Sequence, residues 1–238
     1  VSAVVEHEIV SRAASGQPRA ASPVTTIANS SGLSRALVAA RDPAGRRAET
    51  LRELRTELVL RWFGDKRTLA VVGARESDGA DIVAANLAIV MAQLGEPTLL
   101  VDANLRAPRQ HTLFGIKPTV GLSDLLCSRD VHDEAIAQIP AVENLHVLCA
   151  GAVPQNPQEL VTRTPFIYLM KTLPEKFRAV IVATPPALEF ADAQMIANRA
   201  LGCLLVTRRH RTRIADIERV KEQLLAGRSE LVGGVIRE

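Results

Sequence analysis

Residues 69–108 read "LAVVGARESDGADIVAANLAIVMAQLGEPTLLVDANLRAP", and the order of residue types in that stretch decides the fold. An apolar, β-branched run gives way to a short polar loop, then to a helix rich in Ala, then to a second apolar run ending on Asp102. Strands without polar alternation are buried on both faces, the condition of a parallel sheet flanked by helices. In such sheets the loop between a strand and its helix is where phosphate groups are held, because the helix N-terminus offers free N–H groups. Here that loop reads Ser77-Asp78-Gly79-Ala80-Asp81. A phosphate-binding loop requires Gly-Lys followed by Ser or Thr.

Working outward, the alternation of strand and helix continues to the end of the chain. "TLAVVGA" and "PTLLVDA" read as strands around the helix "ADIVAANLAIVMAQLG", which Gly95 closes. "LSDLLCS" and "HDEAIAQI" read as helical, "NLHVLCAG" as a strand, and "NPQELVTRTPFIYLMKTLPEKF" as one or two helices. "RAVIVATPP", "GCLLVTRR" and "LVGGVIR" are the remaining strands, with helices "FADAQMIANRA" and "RIADIERVKEQLLAG" between them. The expectation for residues 68–238 is an α/β domain with a mostly parallel sheet and helices on both faces. Upstream, "RRAETLRELRTELVLRWF" spaces Leu51, Leu54, Leu58 and Trp62 at helical steps, which makes residues 34–67 a helical region. Residues 1–33, rich in Ser, Ala and Thr, read as a flexible lead-in.

The hydrophobic content of 47% supports a sizeable core in a chain of 238 residues, and with aromatics at only 3% that core must be aliphatic. A net charge of +3 is mildly basic, and aromatic and basic residues do not interleave, so nucleic-acid binding is not expected. Cys127, Cys149 and Cys203 are far apart and set in apolar runs, which suits a reducing cytoplasm rather than a disulfide framework or a metal site. No apolar run is long enough to cross a bilayer. The chain opens on Val1 rather than Met, which leaves room for residues upstream.

Several segments, in order, resemble the cytoplasmic domain of bacterial tyrosine autokinases. They are "AETLRELRTELVLRWF", "LLVDANLRAP", "PRQH" through "LFG", "GAVPQNPQEL", "VIVATPP" and "ADAQMIANRALGCLLVTRRHRTR". The similarity runs from about residue 33 to the end and leans toward the branch associated with Eps-type exopolysaccharide systems and chain-length determinants. It implies a fold like the P-loop NTPases of the ParA and MinD kind, with ATP and magnesium as the family's cofactors. It implies assembly with like subunits through Glu49, Arg52 and Arg55, which match the family's Glu-x-x-Arg-x-x-Arg motif. It further implies an inner-membrane polysaccharide co-polymerase as partner, and so a cytoplasmic position at the membrane. Read without the resemblance, the same three side chains are a solvated helix face, with pairs worth only ~0.3–0.5 kcal/mol each.

The chain departs from that family where the chemistry would be. Gly79 keeps the glycine before the lysine position, but Ala80 stands in place of the Lys and Asp81 in place of the hydroxyl. An Ala offers no donor, and each lost charge-assisted hydrogen bond costs on the order of 1.5–3 kcal/mol. Asp81 suits the first turn of a helix, where a carboxylate is favoured by the free N–H groups, in effect a side chain standing in for phosphate. Arg75 is a candidate substitute cation, and Arg106 a candidate phosphate or subunit contact. Of the acids the resemblance implies for catalysis and magnesium, Asp102 remains, a weak ligand alone, while Asn104 and Ala183 replace the other two. The only tyrosine, Tyr168, lies in an apolar helical stretch and is expected in the core, and "VGGVIRE" ends the chain with no tyrosine-rich tail.

Three functions follow as expectations. The first is a regulatory or assembly subunit of exopolysaccharide synthesis and export with an impaired nucleotide site. The second is an active tyrosine autokinase using a nonstandard loop, with Asp102 on magnesium and Arg75 or a partner supplying the cation. The third, a partitioning or division-site ATPase, lacks the early loop lysine and the amphipathic C-terminal helix it needs.

Overall fold

A computed structural model describes residues 32–117, 120–127 and 135–238. Helices α1 (Val38–Arg41) and α2 (Arg46–Arg61) precede β1 (Thr68–Gly73), a single 3₁₀ turn (Glu76–Asp78) and α3 (Ala80–Ala92). There follow β2 (Thr98–Asp102), α4 (Gln110–Phe114), α5 (Leu122–Cys127), β3 (Ile136–Gln138) and β4 (Leu145–Leu148). The chain continues with α6 (Pro157–Thr162), α7 (Thr164–Lys176), β5 (Ala179–Ala183), α8 (Asp192–Arg199), β6 (Gly202–Arg208), α9 (Ile214–Ala226) and β7 (Glu230–Arg237). The expected lead-in, up to residue 31, lies outside the described residues.

The strands form one sheet in the order β3-β4-β2-β5-β1-β6-β7. All pairs are parallel except β3 with β4. Every residue of β1, β2 and β5 is buried, as unalternating apolar runs require of central strands. One face packs against α3, with Leu113 and Phe114 of α4 beside it. The other face packs against α5 to α9, through residues such as Leu122, Phe166, Ile196 and Val220. The thiols of Cys149 and Cys203 sit inside these two cores, and burial pushes both up to about 12, so they act as packing groups.

Helix α3 is apolar all round, and nearly every residue from Ala80 to Ala92 is buried. A helix of this kind must be covered on its outer side, and residues 34–67 supply the cover. Asn86 fixes the contact: its Oδ1 accepts the Ala39 N–H at 3.0 Å and its Nδ2 donates to Ala36 O at 2.9 Å. Arg55 donates to Val90 O at 2.9 Å near the far end of α3. Trp62 closes α2 by laying its indole against Gly202, where a side chain would collide with the ring, and its Nε1 donates to Thr68 O at 2.8 Å.

Two local readings of the sequence are corrected. Tyr168, expected in the core, is 64% exposed. The buried stripe of α7 is Phe166, Leu169, Met170 and Leu173, and a residue two positions from Phe166 points away from it. The run "HDEAIAQI", read as helix, contains strand β3; its residues 132–134 lie outside the described residues. Ile136, Ala137 and Gln138 pair antiparallel with Leu148, Val147 and His146. A short apolar run has no strong local preference, and the free edge of β4 decides it.

Candidate functional site

The C-terminal edge of the sheet brings together the ends of β1, β2, β5, β6 and β7, which is where ligands sit in open α/β sheets. From β1 the chain makes its 3₁₀ turn, passes Gly79 in the left-handed region at φ +67°, and enters α3. Asp78 organises this loop. It is 1% exposed, its Oδ2 accepts the Arg75 N–H at 2.9 Å, and its Oδ1 accepts the Thr212 hydroxyl at 2.6 Å. Thr212 is fixed in turn, because its oxygen accepts the Arg208 N–H at 2.7 Å. The end of β6 and the start of α9 therefore hold the loop through one carboxylate.

Arg237, from the end of β7, completes the hold. Its Nη1 donates to Asp78 O at 2.9 Å, and its guanidinium lies so close to Gly79 that a side chain there would run into it. Burial and the neighbouring Arg208 pull its pKa below the ordinary arginine value, while Asp81 and Asp78 oppose that shift. A guanidinium thus stands beside the loop that lacks a lysine. Sequence reasoning missed Arg237, Thr212 and the structural part of Asp78. The available signal was the position of Arg237 at the end of a strand sharing this edge.

The residues singled out from the sequence are placed as follows. Ala80 opens α3, and Asp81 lies in its first turn, with Oδ2 at 3.2 Å from Arg109 Nη1. That contact is at ion-pair distance but not aligned as a hydrogen bond, since the same oxygen is buried without a hydrogen-bond donor. Arg75, the candidate substitute cation, turns away from the loop and binds both carboxylate oxygens of Asp216 on α9, at 3.1 and 3.4 Å. Asn104 folds back on its own chain, its Oδ1 accepting the N–H groups of Arg106 and Ala107 at 3.3 and 3.1 Å. Arg106 grips the buried Asp192 with two bonds, 2.7 and 3.2 Å, and its guanidinium lies 4.3 Å from the Phe190 ring centre.

Asp102 ends β2 beside Ala183, its register partner on β5, and is 1% exposed. Its Oδ2 accepts the N–H groups of Arg109 and Gln110 at 3.0 and 2.9 Å, so the carboxyl is turned to the start of α4. Burial raises its pKa from 3.8 to about 7. The backbone N–H donors pull it back and the charge of Asp81 adds to the rise. Among the described residues, no cluster of three or more His, Cys, Asp or Glu could hold a metal ion. Of the proposed assembly residues, Glu49 and Arg52 pair with each other at 2.6 Å, Arg52 also reaches Pro43 O at 2.9 Å, and Arg55 is spent on Val90 O.

No protein-family model matches the chain. Individual relatives do. The tyrosine-protein kinase YwqD of Bacillus subtilis is 33% identical over 205 residues, which cover 86% of each chain. The chain belongs to the bacterial tyrosine-protein kinases. EpsB of Ralstonia nicotianae is 35% identical over 84% of this chain, which spans only 26% of that longer relative. The kinase domain of the Escherichia coli tyrosine kinase ETK superposes with a TM-score of 0.81 and 29% identity, covering 84% of this chain and 79% of that one. MinD from Pyrococcus horikoshii complexed with Mg-ADP shares the fold at a TM-score of 0.62, with 72% of this chain and 70% of that chain covered at 22% identity.

Mg-ATP is therefore the group that a bacterial tyrosine kinase fold implies, and the residues present here do not fit it. Ala80 presents a methyl group where the fold needs a cation, and Asp81 and Asp78 place two acids around the loop. Arg237 is committed to Asp78 O and occupies the approach to Gly79. Asp102 has the Asp81 carboxylate near it, but its own carboxyl is engaged by backbone N–H groups and that of Asp81 lies 3.2 Å from Arg109. Magnesium, which dehydrates reluctantly, is held poorly by such a set.

Proposed function

We propose that this member of the bacterial tyrosine kinases is a regulatory or assembly subunit in exopolysaccharide synthesis and export, with its nucleotide site out of use. The observation carrying this reading is Arg237. In a loop that has lost its lysine, a guanidinium from the same chain is held on the Asp78 carbonyl against Gly79. The loop's order then depends on internal ties rather than on a phosphate. Arg75–Asp216 and Arg106–Asp192 point the same way, since arginines that could have met phosphate are each satisfied by a carboxylate.

The assembly half of the proposal places Glu49, Arg52 and Arg55 at a contact with a like subunit. The likeness to EpsB supports an exopolysaccharide setting. The partner in this reading is an inner-membrane polysaccharide co-polymerase, which would hold the chain at the cytoplasmic face of the membrane. Among the described residues no helix is long and apolar enough to cross a bilayer.

Calorimetric titration of the purified chain with Mg-ATP tests the nucleotide half, and a flat isotherm is expected. Micromolar binding accompanied by turnover that depends on Asp102 overturns it and establishes an active kinase with a nonstandard loop. The assembly half is read separately by sedimentation velocity on the wild type and on Glu49→Ala, the exposed member of the trio, with loss of the larger species expected in the variant.

A further inference from the structure

Apart from Arg208 and Arg237, which face the loop before α3, the arginines around the sheet's C-terminal edge fall into two groups. Those on the loops after β1 and β2 each meet a carboxylate: Arg75 with Asp216 at 3.1 Å, Arg106 with Asp192 at 2.7 Å, Arg109 with Asp81 at 3.2 Å. Those on the segment joining β6 to α9 meet none. Arg209, Arg211 and Arg213 lie within five residues of chain, and among the described residues none of them forms an ion pair, whereas the half-buried Arg208 alternates with Val206 and so faces Arg237 on the α3 side of the sheet. The acids nearest along the chain do not relieve them: Asp216 is taken by Arg75, and among the described residues neither Glu218 nor Glu222 pairs with them. With a net charge of only +3 for the whole chain, three unpaired arginines so close together concentrate positive charge on this segment.

Two large apolar side chains flank that charge. Ile214 is 74% exposed at the start of α9, and Ile236 is 73% exposed on the edge strand β7. Ile236 pairs in register with Thr207, which alternates with Leu205 and Cys203, so it faces the side of the sheet that α9 covers. Ile214 begins that same helix. Both isoleucines are therefore exposed beside the arginine segment, outside the core.

We propose that this edge, formed by Arg209, Arg211, Arg213, Ile214 and Ile236, docks on the anionic headgroups of a lipid bilayer. The arrangement favours a lipid surface over an acidic protein segment. The exposed guanidinia of Arg209, Arg211 and Arg213 are not held by a second contact, so they are not pre-positioned for bidentate recognition of a fixed carboxylate. A bilayer surface demands no such register, and it rewards charge density combined with shallow insertion of apolar side chains. This inference is independent of whether the nucleotide site works.

Flotation of the full chain with phosphatidylcholine vesicles, with and without phosphatidylglycerol, tests it. Retention is expected on the anionic vesicles only and declines as salt is raised. Paired reversal, Arg211→Glu with Arg213→Glu, is expected to lower the partition by roughly two orders of magnitude. Ile214→Ser with Ile236→Ser is expected to weaken it while leaving the salt dependence in place. All four positions are exposed to solvent, and circular dichroism verifies that the variants fold. The proposal is overturned by absence of retention at low salt or by retention that ignores the reversal. Capture on immobilised polyglutamate without vesicle binding also overturns it, in favour of an acidic protein partner.

Discussion

Replacing Asp102 by Asn is expected to change how stability depends on pH. Asp102 has an ordinary value of 3.8 when the chain is unfolded and about 7 in the folded protein, mainly because it is buried. Below the unfolded value both states carry the proton and the carboxyl costs nothing. Between the two values the folded state retains a proton that the unfolded state has released, so stability falls as pH rises, and above about 7 the loss is complete. A rise of about three units at about 1.4 kcal/mol each gives a loss on the order of 4 kcal/mol. In Asp102→Asn the amide oxygen can still accept the N–H groups of Arg109 and Gln110, and the pH-dependent part disappears. Urea unfolding of both proteins across this range should therefore show the variant gaining on the wild type as pH rises, with the gain levelling off near neutrality. A difference that stays flat, or that favours the wild type more at high pH, would mean that the start of α4 holds Asp102 ionised, and the argument from burial fails.

Arg237→Ala removes the tie from β7 to the loop and should cost about 1–3 kcal/mol in urea unfolding. It should also speed amide exchange across residues 75–82 more than across β2, a contrast that a general loss of stability does not give. Asp192→Ala strands the guanidinium of Arg106 beside Phe190 and should destabilise by about 1–3 kcal/mol, the buried-pair figure discounted because Arg106 remains partly in water. Asp192→Ala with Arg106→Leu should recover part of that loss, and additive losses would refute the pairing. Gly202→Ala forces a methyl group into the Trp62 ring and should cost about 1–3 kcal/mol by overpacking, with a shifted tryptophan emission spectrum as the independent sign.

The central part of the fold was legible because its signals are local. Apolar runs in 69–73, 99–101 and 179–183, short and bounded by turn residues, read as central strands, and the longer Ala-rich stretch 80–92 reads as a helix buried on many sides. The loss of the loop lysine was equally legible, since Ala80 and Asp81 are read in place. The arrangement that compensates for it was not. Arg237 meets Asp78 across 159 residues of chain and Thr212 meets it across 134, and no periodicity reports such pairs. Arg75 looked like a free cation because Asp216, which satisfies it, lies 141 residues further on. Tyr168 was misplaced for a different reason. Apolar residues surround it in sequence, but α7 shows the sheet a single stripe, and its position falls outside that stripe.

One helix joins the two ends of this story. α3 starts at the altered loop and finishes beneath Arg55, about 20 Å away at 1.5 Å per residue. Buried along nearly its whole length, it has little room to slide or tilt without opening a void, so a shift of α2 at Arg55 would be carried toward the loop. Such a coupling rests on packing alone and asks nothing of nucleotide chemistry.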